Sequence, residues 1–176
     1  LIRRVVHSSE PAPGFGGAGG AADYHNRFEV IPLETPHRPR RVTPKPRIMG
    51  VQTAVVTGPA GEEIHTDEWG RVKVLFHWDR ESPADETSSV WLRCRQEWTG
   101  NGFGWLWTPR IGHEVVVTFV DGDPDRPIAF GGVYDANHLP PYDLPAEKTK
   151  STLKSNSSLG GGGFNELRFE DAAGSE

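Results

Sequence analysis

Apolar and polar residues alternate along several short stretches of this chain, with the period of two that is typical of half-buried β-strands. One such stretch, VKVLFHW, covers residues 72–78. In residues 90–98 the same alternation places Leu92 and Cys94 on the face opposite the tryptophan and arginine side chains. No segment of useful length between residues 48 and 135 repeats with the 3.6-residue period of a helix. The pattern therefore predicts an all-β protein.

Turn-forming residues separate these alternating stretches at short intervals. Asp67 to Gly70 form one tight turn, in which Gly70 is expected to supply a positive φ. The predicted strands cover residues 1–7, 28–33, 49–57, 63–66, 72–78, 90–98, 105–108, 114–120, 128–134 and 164–171. The strands between residues 49 and 134 fit a small closed barrel of the OB type. We expect bulky Val, Ile, Phe and Trp side chains to fill its interior.

Three segments have compositions that do not favour packed structure. Residues 8–22, SSEPAPGFGGAGGAA, predict a mobile loop, since a phosphate-binding loop needs a following helix with Lys and Ser or Thr. Residues 35–47 contain frequent prolines and five basic side chains but no acid, which predicts an extended connector lying against an acidic surface, with a nucleic-acid-binding arm as the less favoured alternative. Residues 135–163 predict a surface segment or linker.

Charge and cysteine content narrow the classes of function. The formal net charge of −5 disfavours a dedicated nucleic-acid-binding protein. The single cysteine, Cys94, cannot form an internal disulfide and is expected to be a small buried hydrophobe. No apolar run reaches the length of a membrane span, and the first residues lack a signal-peptide pattern. The chain starts without Met and stops inside a patterned segment, so we expect it to be part of a longer protein.

The acidic segment Asp121 to Arg126 has two interpretations. Its alternating acids suggest a calcium loop, but Arg126 replaces the required glycine and no bidentate glutamate follows at the right distance. The favoured interpretation is a turn between two strands, in which Asp123 caps backbone N–H groups and Arg126 pairs locally. The predicted structural-turn residues are Gly70, Asp123, Pro124, Asp125, Arg126 and Pro127.

Other candidate chemistry is weak. The histidines are scattered, although His65 and His77 lie on neighbouring strands of a predicted hairpin, and no metal site is expected. Glu97 and Glu114 form a conceivable glycosidase pair, but nothing in the sequence marks a sugar-binding cleft. No serine or cysteine nucleophile motif occurs. The sequence therefore predicts neither an enzyme nor a bound cofactor.

Two long runs carry a resemblance to a known family. PKPRIMGVQTAVVTGPAGEEIHTDEWGRVKVLFHWDRE and WTPRIGHEVVVTFVDGDPDRPIAFGGVYD resemble the two halves of the OB domain of VgrG spike proteins. KSTLKSNSSLGGGGFNELRFEDAAG resembles the passage from that domain into the family's trimeric β-helix. These proteins are also similar to the hub and spike of contractile phage tails. In the family the DPDRP turn is a hallmark of the OB domain, which agrees with a structural role.

The resemblance implies a domain order and a set of partners. Residues 1–34 would be the end of a hub domain, 35–47 a linker, 48–135 the OB domain, 136–163 a second linker, and 164–176 the start of an intertwined triple-stranded β-helix. The implied partners are two further copies in a homotrimer, a tube of Hcp hexamers, a PAAR-repeat tip protein, and effector or adaptor proteins. The implied spike is assembled in the bacterial cytoplasm, secreted and injected into a target cell.

The alternation in residues 164–171 predicts a strand that cannot bury its own apolar side chains. Phe164, Leu167 and Phe169 are the predicted trimer contacts, and we expect residues after about 160 to be ordered only in a trimer, since isolated strands are unstable in water.

The alternative function is single-strand nucleic-acid binding, which OB barrels often perform. The side chains that this alternative would use are Trp91, Trp98, Trp105, Trp107, Arg93, Arg95 and Arg110. Otherwise these tryptophans are expected to fill the barrel or a subunit interface.

Overall fold

The structure is a computed structural model that describes residues 1–10 and 23–175. Most of the loop predicted at residues 8–22 lies outside these described residues. The chain divides into two compact units, Leu1–Pro44 and Lys45–Glu176. In the described residues there is no α-helix, and hence no helix that is long and apolar enough to span a membrane.

The first unit contains an antiparallel pair of strands, β1 (Ile2–Glu10) and β2 (Asp23–Val30). β1 continues to Glu10, beyond its predicted end at residue 7, and β2 begins at Asp23, before its predicted start at residue 28. Backbone pairing continues through polar residues such as Ser9, which pairs with Tyr24, and this extension could not be inferred from hydrophobic alternation. The prediction that a strand continues to residue 33 was wrong, because a turn closes there with a hydrogen bond from Thr35 N to Pro32 O.

The second unit contains a five-stranded sheet with the spatial order β4-β3-β6-β7-β5. Its strands are β3 (Gln52–Thr57), β4 (Lys73–Phe76), β5 (Arg93–Cys94), β6 (Glu114–Phe119) and β7 (Pro127–Gly132). Neighbouring strands pair antiparallel except β5 and β7, which are parallel. A bridge between Val72 and Leu92, which exchange two backbone hydrogen bonds, joins the two edge strands. The sheet therefore curls into the predicted OB-type barrel.

One face of every barrel strand is apolar and points into a common core. The buried apolar residues are Ala54, Val56, Val72, Val74, Leu92, Val115, Val117, Phe119 and Ala129. Ile48, Phe76 and Cys94 pack against this core from the sides. The expectation that tryptophans help to fill the barrel was wrong, because Val, Ala, Leu and Phe119 side chains fill its interior. Trp78, Trp98, Trp105 and Trp107 are all more than 40% exposed.

Two predicted barrel strands are absent from the structure. Residues 63–66 and 105–108 are irregular. In the first segment the Glu63 carbonyl accepts a hydrogen bond from Ile111 N. In the second, the backbone of Trp107 bonds to the Gln96 side chain and not to a neighbouring strand. Isolated hydrogen bonds to backbone and side-chain groups here replace the ladder of a sheet.

The last two strands, β8 (Lys150–Lys154) and β9 (Glu166–Glu170), form an antiparallel hairpin. The alternating pattern predicted β9, but β8 lies in the segment interpreted as a linker, so β9 has a partner within the chain. Two further backbone bonds, Ser155 N to Asn165 O and Ser157 N to Gly163 O, extend the pairing toward the glycine-rich turn.

Candidate functional site

The turn between β6 and β7 is built by backbone and carboxylate hydrogen bonds. Asp123 Oδ1 accepts from Asp125 N at 3.0 Å, and the Asp123 carbonyl accepts from Arg126 N at 2.9 Å. The Arg126 guanidinium lies 3.3 Å from the carboxylate of Asp121, which itself has a positive φ of 57°. Pro124 lies within the turn, and Pro127 begins β7 opposite Phe119. These contacts are the ones that a structural turn would make.

A lysine from the basic segment occupies the acidic side of this turn. Lys45 Nζ lies 2.6 Å from Asp123 Oδ1 and 3.0 Å from Asp125 Oδ2. The hydrogen bond from Lys45 is the main cause that lowers the pKa of Asp123 below its usual range. Ile48 N also donates to the carbonyl of Gly122. The chain therefore enters the barrel across this turn, where the Lys45 ammonium group forms ion pairs with both carboxylates.

A second turn, at Gly70, is organised by one aspartate. Asp67 Oδ1 accepts hydrogen bonds from the backbone N–H groups of Trp69 and Arg71, and its Oδ2 lies 2.6 Å from Arg71 Nε. Burial alone would raise the pKa of Asp67, but these bonds outweigh it and hold the pKa below its usual range. Gly70 has the expected positive φ of 68°. That the predicted turn residues have a structural role stays a prediction.

The β8–β9 hairpin has one charged face and one apolar face. On the charged face, Tyr142 donates a hydrogen bond to Glu166, and Thr152 Oγ1 lies 2.8 Å from the same carboxylate. On the apolar face, Leu153 pairs with Leu167, and Phe169 follows in the same row. Leu167 and Phe169 remain 55% and 57% exposed. Phe164, also exposed, lies outside β9 and under the Lys154 ammonium.

Glu63 and Arg110 connect the turn of this hairpin to the barrel. Glu63 Oε1 accepts a hydrogen bond of 2.6 Å from Gly160 N, and its Oε2 lies 3.3 Å from Arg110. Arg110 also donates to the carbonyl oxygen of Asn156. We call these two side chains the barrel clasp. Sequence reasoning did not find the clasp, because the residues that it joins are about 50 to 100 positions apart and follow no motif.

Arg95, Arg110 and Trp91, considered above for nucleic-acid binding, make contacts that reduce their availability to phosphates or bases. Arg95 forms two hydrogen bonds with Glu97, and Arg110 belongs to the clasp. Trp91 stacks near His65 and beneath Lys73. Arg93 is exposed on the short strand β5.

The remaining candidate catalytic and metal-binding groups do not converge. The paired Arg95 lowers the pKa of Glu97, which is opposite to what a general acid needs. Glu114 lies 3.5 Å from His77, whereas His65 lies near Glu62. Desolvation raises the pKa of Cys94 to about 11, so its thiol is a poor nucleophile at neutral pH. In the part of the chain that the structure describes, no group of three or more His, Cys, Asp or Glu side chains is arranged to hold a metal ion.

Comparison with known families agrees with this geometry. Residues 52–134 match the family described as the type VI secretion system/phage-baseplate injector OB domain. Residues 151–176 match the bacteriophage T4 gp5 C-terminal trimerisation domain. The first match covers the five strands of the barrel and the second covers nearly all of the β8–β9 hairpin. Together with the barrel topology, these matches define an injector OB domain followed by a trimerisation segment.

The chain is also similar to complete spike proteins. It is 57% identical over 153 residues to the type VI secretion system spike protein VgrG4b of Pseudomonas aeruginosa, covering 87% of this chain and 19% of that protein. It is 51% identical to VgrG1b of the same organism over 163 residues, covering 92% and 22%. It is 50% identical over 160 residues to the actin cross-linking toxin VgrG1 of Vibrio cholerae, covering 91% and 14%. The chain belongs to the VgrG family of spike proteins and spans about a fifth of the length of the first of these relatives.

Proposed function

We propose that this chain forms the collar of a trimeric type VI secretion spike, where the OB barrel passes into a puncturing β-helix. The observation that carries the proposal is the exposed apolar face of the β8–β9 hairpin, which lies inside the segment that matches a trimerisation domain. A two-stranded sheet cannot bury such a face by itself. Two further copies of the chain would cover Leu153, Leu167 and Phe169.

The proposed domain order follows the barrel and its flanks. Residues 1–34 form the end of the hub, 35–47 a connector, and 48–135 the OB domain. The pairing of β8 with β9 supports a needle segment that begins near Lys150, earlier than the boundary at residue 164 that we inferred from the sequence. In this proposal the collar is a mechanical part without catalytic activity, and effector domains belong to other parts of such proteins.

The wider assembly follows from the family. We propose that the complete spike docks on an Hcp tube, carries a PAAR-repeat tip protein and delivers effector or adaptor proteins. It would be assembled in the bacterial cytoplasm and then injected into a target cell. Single-strand nucleic-acid binding is a weaker candidate, because Arg95 and Arg110 have carboxylate partners within the chain.

Sedimentation velocity on the full chain tests the trimer. The wild-type chain is expected to sediment as a trimer, and the double variant Leu167→Asp/Phe169→Asp as a monomer, because two buried carboxylates in each copy would lack partners. Leu139→Asp is the matched control, since Leu139 is exposed in the loop before β8 and should leave the trimer intact. A monomeric wild-type chain, or a trimeric double variant, would contradict the proposal.

A further inference from the structure

Residues 96–107 form a hairpin, here called the tryptophan hairpin, in the connection between β5 and β6. Trp105 N donates to Trp98 O, and Gly100 N donates to Phe103 O, each at 2.9 Å. At the base, the Gln96 side chain accepts from Trp107 N and donates to Trp107 O. The backbone of this hairpin is therefore held at its base, along its length and near its tip.

Two glycines allow this hairpin to close tightly. A Cβ at Gly104 would lie 2.4 Å from the Trp98 carbonyl oxygen, and a Cβ at Gly100 would enter the Phe103 ring. The aromatic rings then pack against each other edge to face, Trp98 on Phe103 and Trp105 on Trp107. The hairpin is thus a preorganised aromatic surface, whose side chains lose little freedom when a partner covers them.

The aromatic side chains of the tryptophan hairpin remain largely open to solvent. The exposed fractions are 58% for Trp98, 61% for Phe103, 46% for Trp105, 70% for Leu106 and 54% for Trp107. Monomeric proteins rarely leave a contiguous patch of this kind uncovered, and tryptophan is enriched at the centres of protein interfaces. An interaction surface explains this exposure better than packing within the chain does.

The charge of the tryptophan hairpin favours a protein partner over a nucleic acid. Residues 98–109, WTGNGFGWLWTP, contain no charged side chain. At the base of the hairpin, Glu97 is neutralised by its two hydrogen bonds with Arg95. A surface without free cations offers little attraction to phosphates but loses little solvation energy when another apolar surface covers it.

The position of the hairpin indicates which protein covers it. Three residues after Trp107, Arg110 bonds to Asn156 at the turn of the β8–β9 hairpin, and Glu63 holds Gly160 of the same turn. The base of the tryptophan hairpin therefore lies three residues along the chain from the barrel clasp, which holds the turn of the segment that matches a trimerisation domain. Once that segment brings three copies together, the high effective concentration favours burial of adjacent apolar surfaces.

We infer that the tryptophan hairpin is a second contact between copies of this chain, in which Trp98, Trp105 and Trp107 are covered by a neighbouring copy. The inference rests on the proposed trimer but adds a separate interface on the barrel. The needle segment would bring the chains together, and the tryptophan hairpin would fix the barrels against one another. The OB domains would then form a rigid ring and not three independent modules.

Fluorine NMR of the full chain labelled with 5-fluorotryptophan tests this interface directly. Single Trp→Phe variants assign the resonances, and the solvent-isotope shift between H2O and D2O reports the exposure of each indole. In the wild-type trimer, the shifts of Trp98, Trp105 and Trp107 are expected to be smaller than in the Leu167→Asp/Phe169→Asp monomer. Trp69 and Trp78 are matched controls, since both are exposed and lie outside the hairpin; their shifts should not change.

A double variant gives an independent test. Trp105→Ser/Trp107→Ser is expected to weaken trimer formation by at least about 30-fold, as loss of interface hot spots does, while Trp69→Ser changes it by less than about 2-fold. An unchanged urea-unfolding midpoint of the barrel would show that the double variant is folded. If it is not folded, the fluorine shifts decide alone.

The outcomes separate this inference from the proposed function. A wild-type trimer in which the three indoles keep their monomer exposure would overturn the inference and leave the trimeric spike intact. A wild-type chain that never trimerises would overturn both. The indoles could also become covered only when a single-stranded oligonucleotide or an apolar peptide is added to the trimer. That result would identify the added molecule as the partner in place of a second copy, and would overturn the inference as stated.

Discussion

The barrel and the β8–β9 hairpin are both antiparallel sheets with alternating sequences, yet they bury their apolar residues very differently. Val72, Val74 and Val117 of the barrel are completely inaccessible, whereas Leu167 and Phe169 of the hairpin are more than half exposed. The difference arises from closure, because the bridge between Val72 and Leu92 brings the two edges of the barrel sheet together. A two-stranded hairpin has no such closure, and in the proposed trimer two further copies would cover its apolar face.

The largest expected effect concerns the same substitution in the two regions. Leu92→Ala should lower the free energy of unfolding of the barrel by about 2–5 kcal/mol, because it removes buried contacts and leaves a cavity. Leu167→Ala should change barrel stability by less than about 0.5 kcal/mol, because its side chain lies outside the barrel core. Urea unfolding followed by circular dichroism measures both. Similar losses in the two variants would show that barrel and hairpin unfold as one unit.

A smaller effect is expected at the barrel clasp, which connects the two regions. Glu63→Ala removes the acceptor of the Gly160 N–H and one partner of Arg110, so it should loosen the hairpin turn by about 0.5–1.5 kcal/mol. Hydrogen exchange of the Gly160 amide should accelerate, with little change in barrel unfolding. Glu63→Gln is the matched control, because its amide oxygen keeps an acceptor for Gly160. Equal exchange in wild type and Glu63→Ala would rule out the clasp.

The smallest expected effect is a dependence of barrel stability on acid. The folded-state pKa values of Asp67 and Asp123 lie below the ordinary value for aspartate. Their contribution is therefore complete above the unfolded pKa of about 4 and is lost as the pH falls through the folded values. The urea midpoint should fall between about pH 5 and pH 2, and Asp67→Asn/Asp123→Asn should flatten that decline. An equally steep decline in the double variant would show that other groups cause it.

The sequence pattern correctly predicted those strands and turns whose conformation depends on residues that are close together along the chain. The alternation in residues 72–78 and 90–98 separated the faces that hold the buried Val72, Val74 and Leu92, and the turn at Asp67 to Gly70 was evident from residue type. The extension of β1 and the existence of β8 were not evident. Both depend on backbone pairing with a distant strand, which tolerates polar residues.

Some features of the candidate site could likewise be predicted from the sequence, and others could not. The residue pattern, with which the resemblance agreed, identified the DPDRP turn and the apolar residues Leu167 and Phe169 before any geometry was known. It did not indicate that Lys45 balances Asp123, nor that Tyr142 covers the charged face of the β8–β9 hairpin. The tryptophans were expected to fill the barrel or an interface, and only the structure excludes the barrel for Trp98, Trp105 and Trp107. Residue type alone does not distinguish a buried aromatic from an exposed one.

The amino-acid sequence alone determined the all-β class, the OB-type barrel and the kinship with VgrG spike proteins. Each of these depends on periodicity, turn residues or long ordered motifs, which are properties of neighbouring positions. The tertiary structure decided the closure of the barrel at Val72 and Leu92, the clasp between Glu63 and Arg110, and the exposure of the tryptophan hairpin. Those features join residues that are distant along the chain, and their partners are fixed only when the sheets have formed.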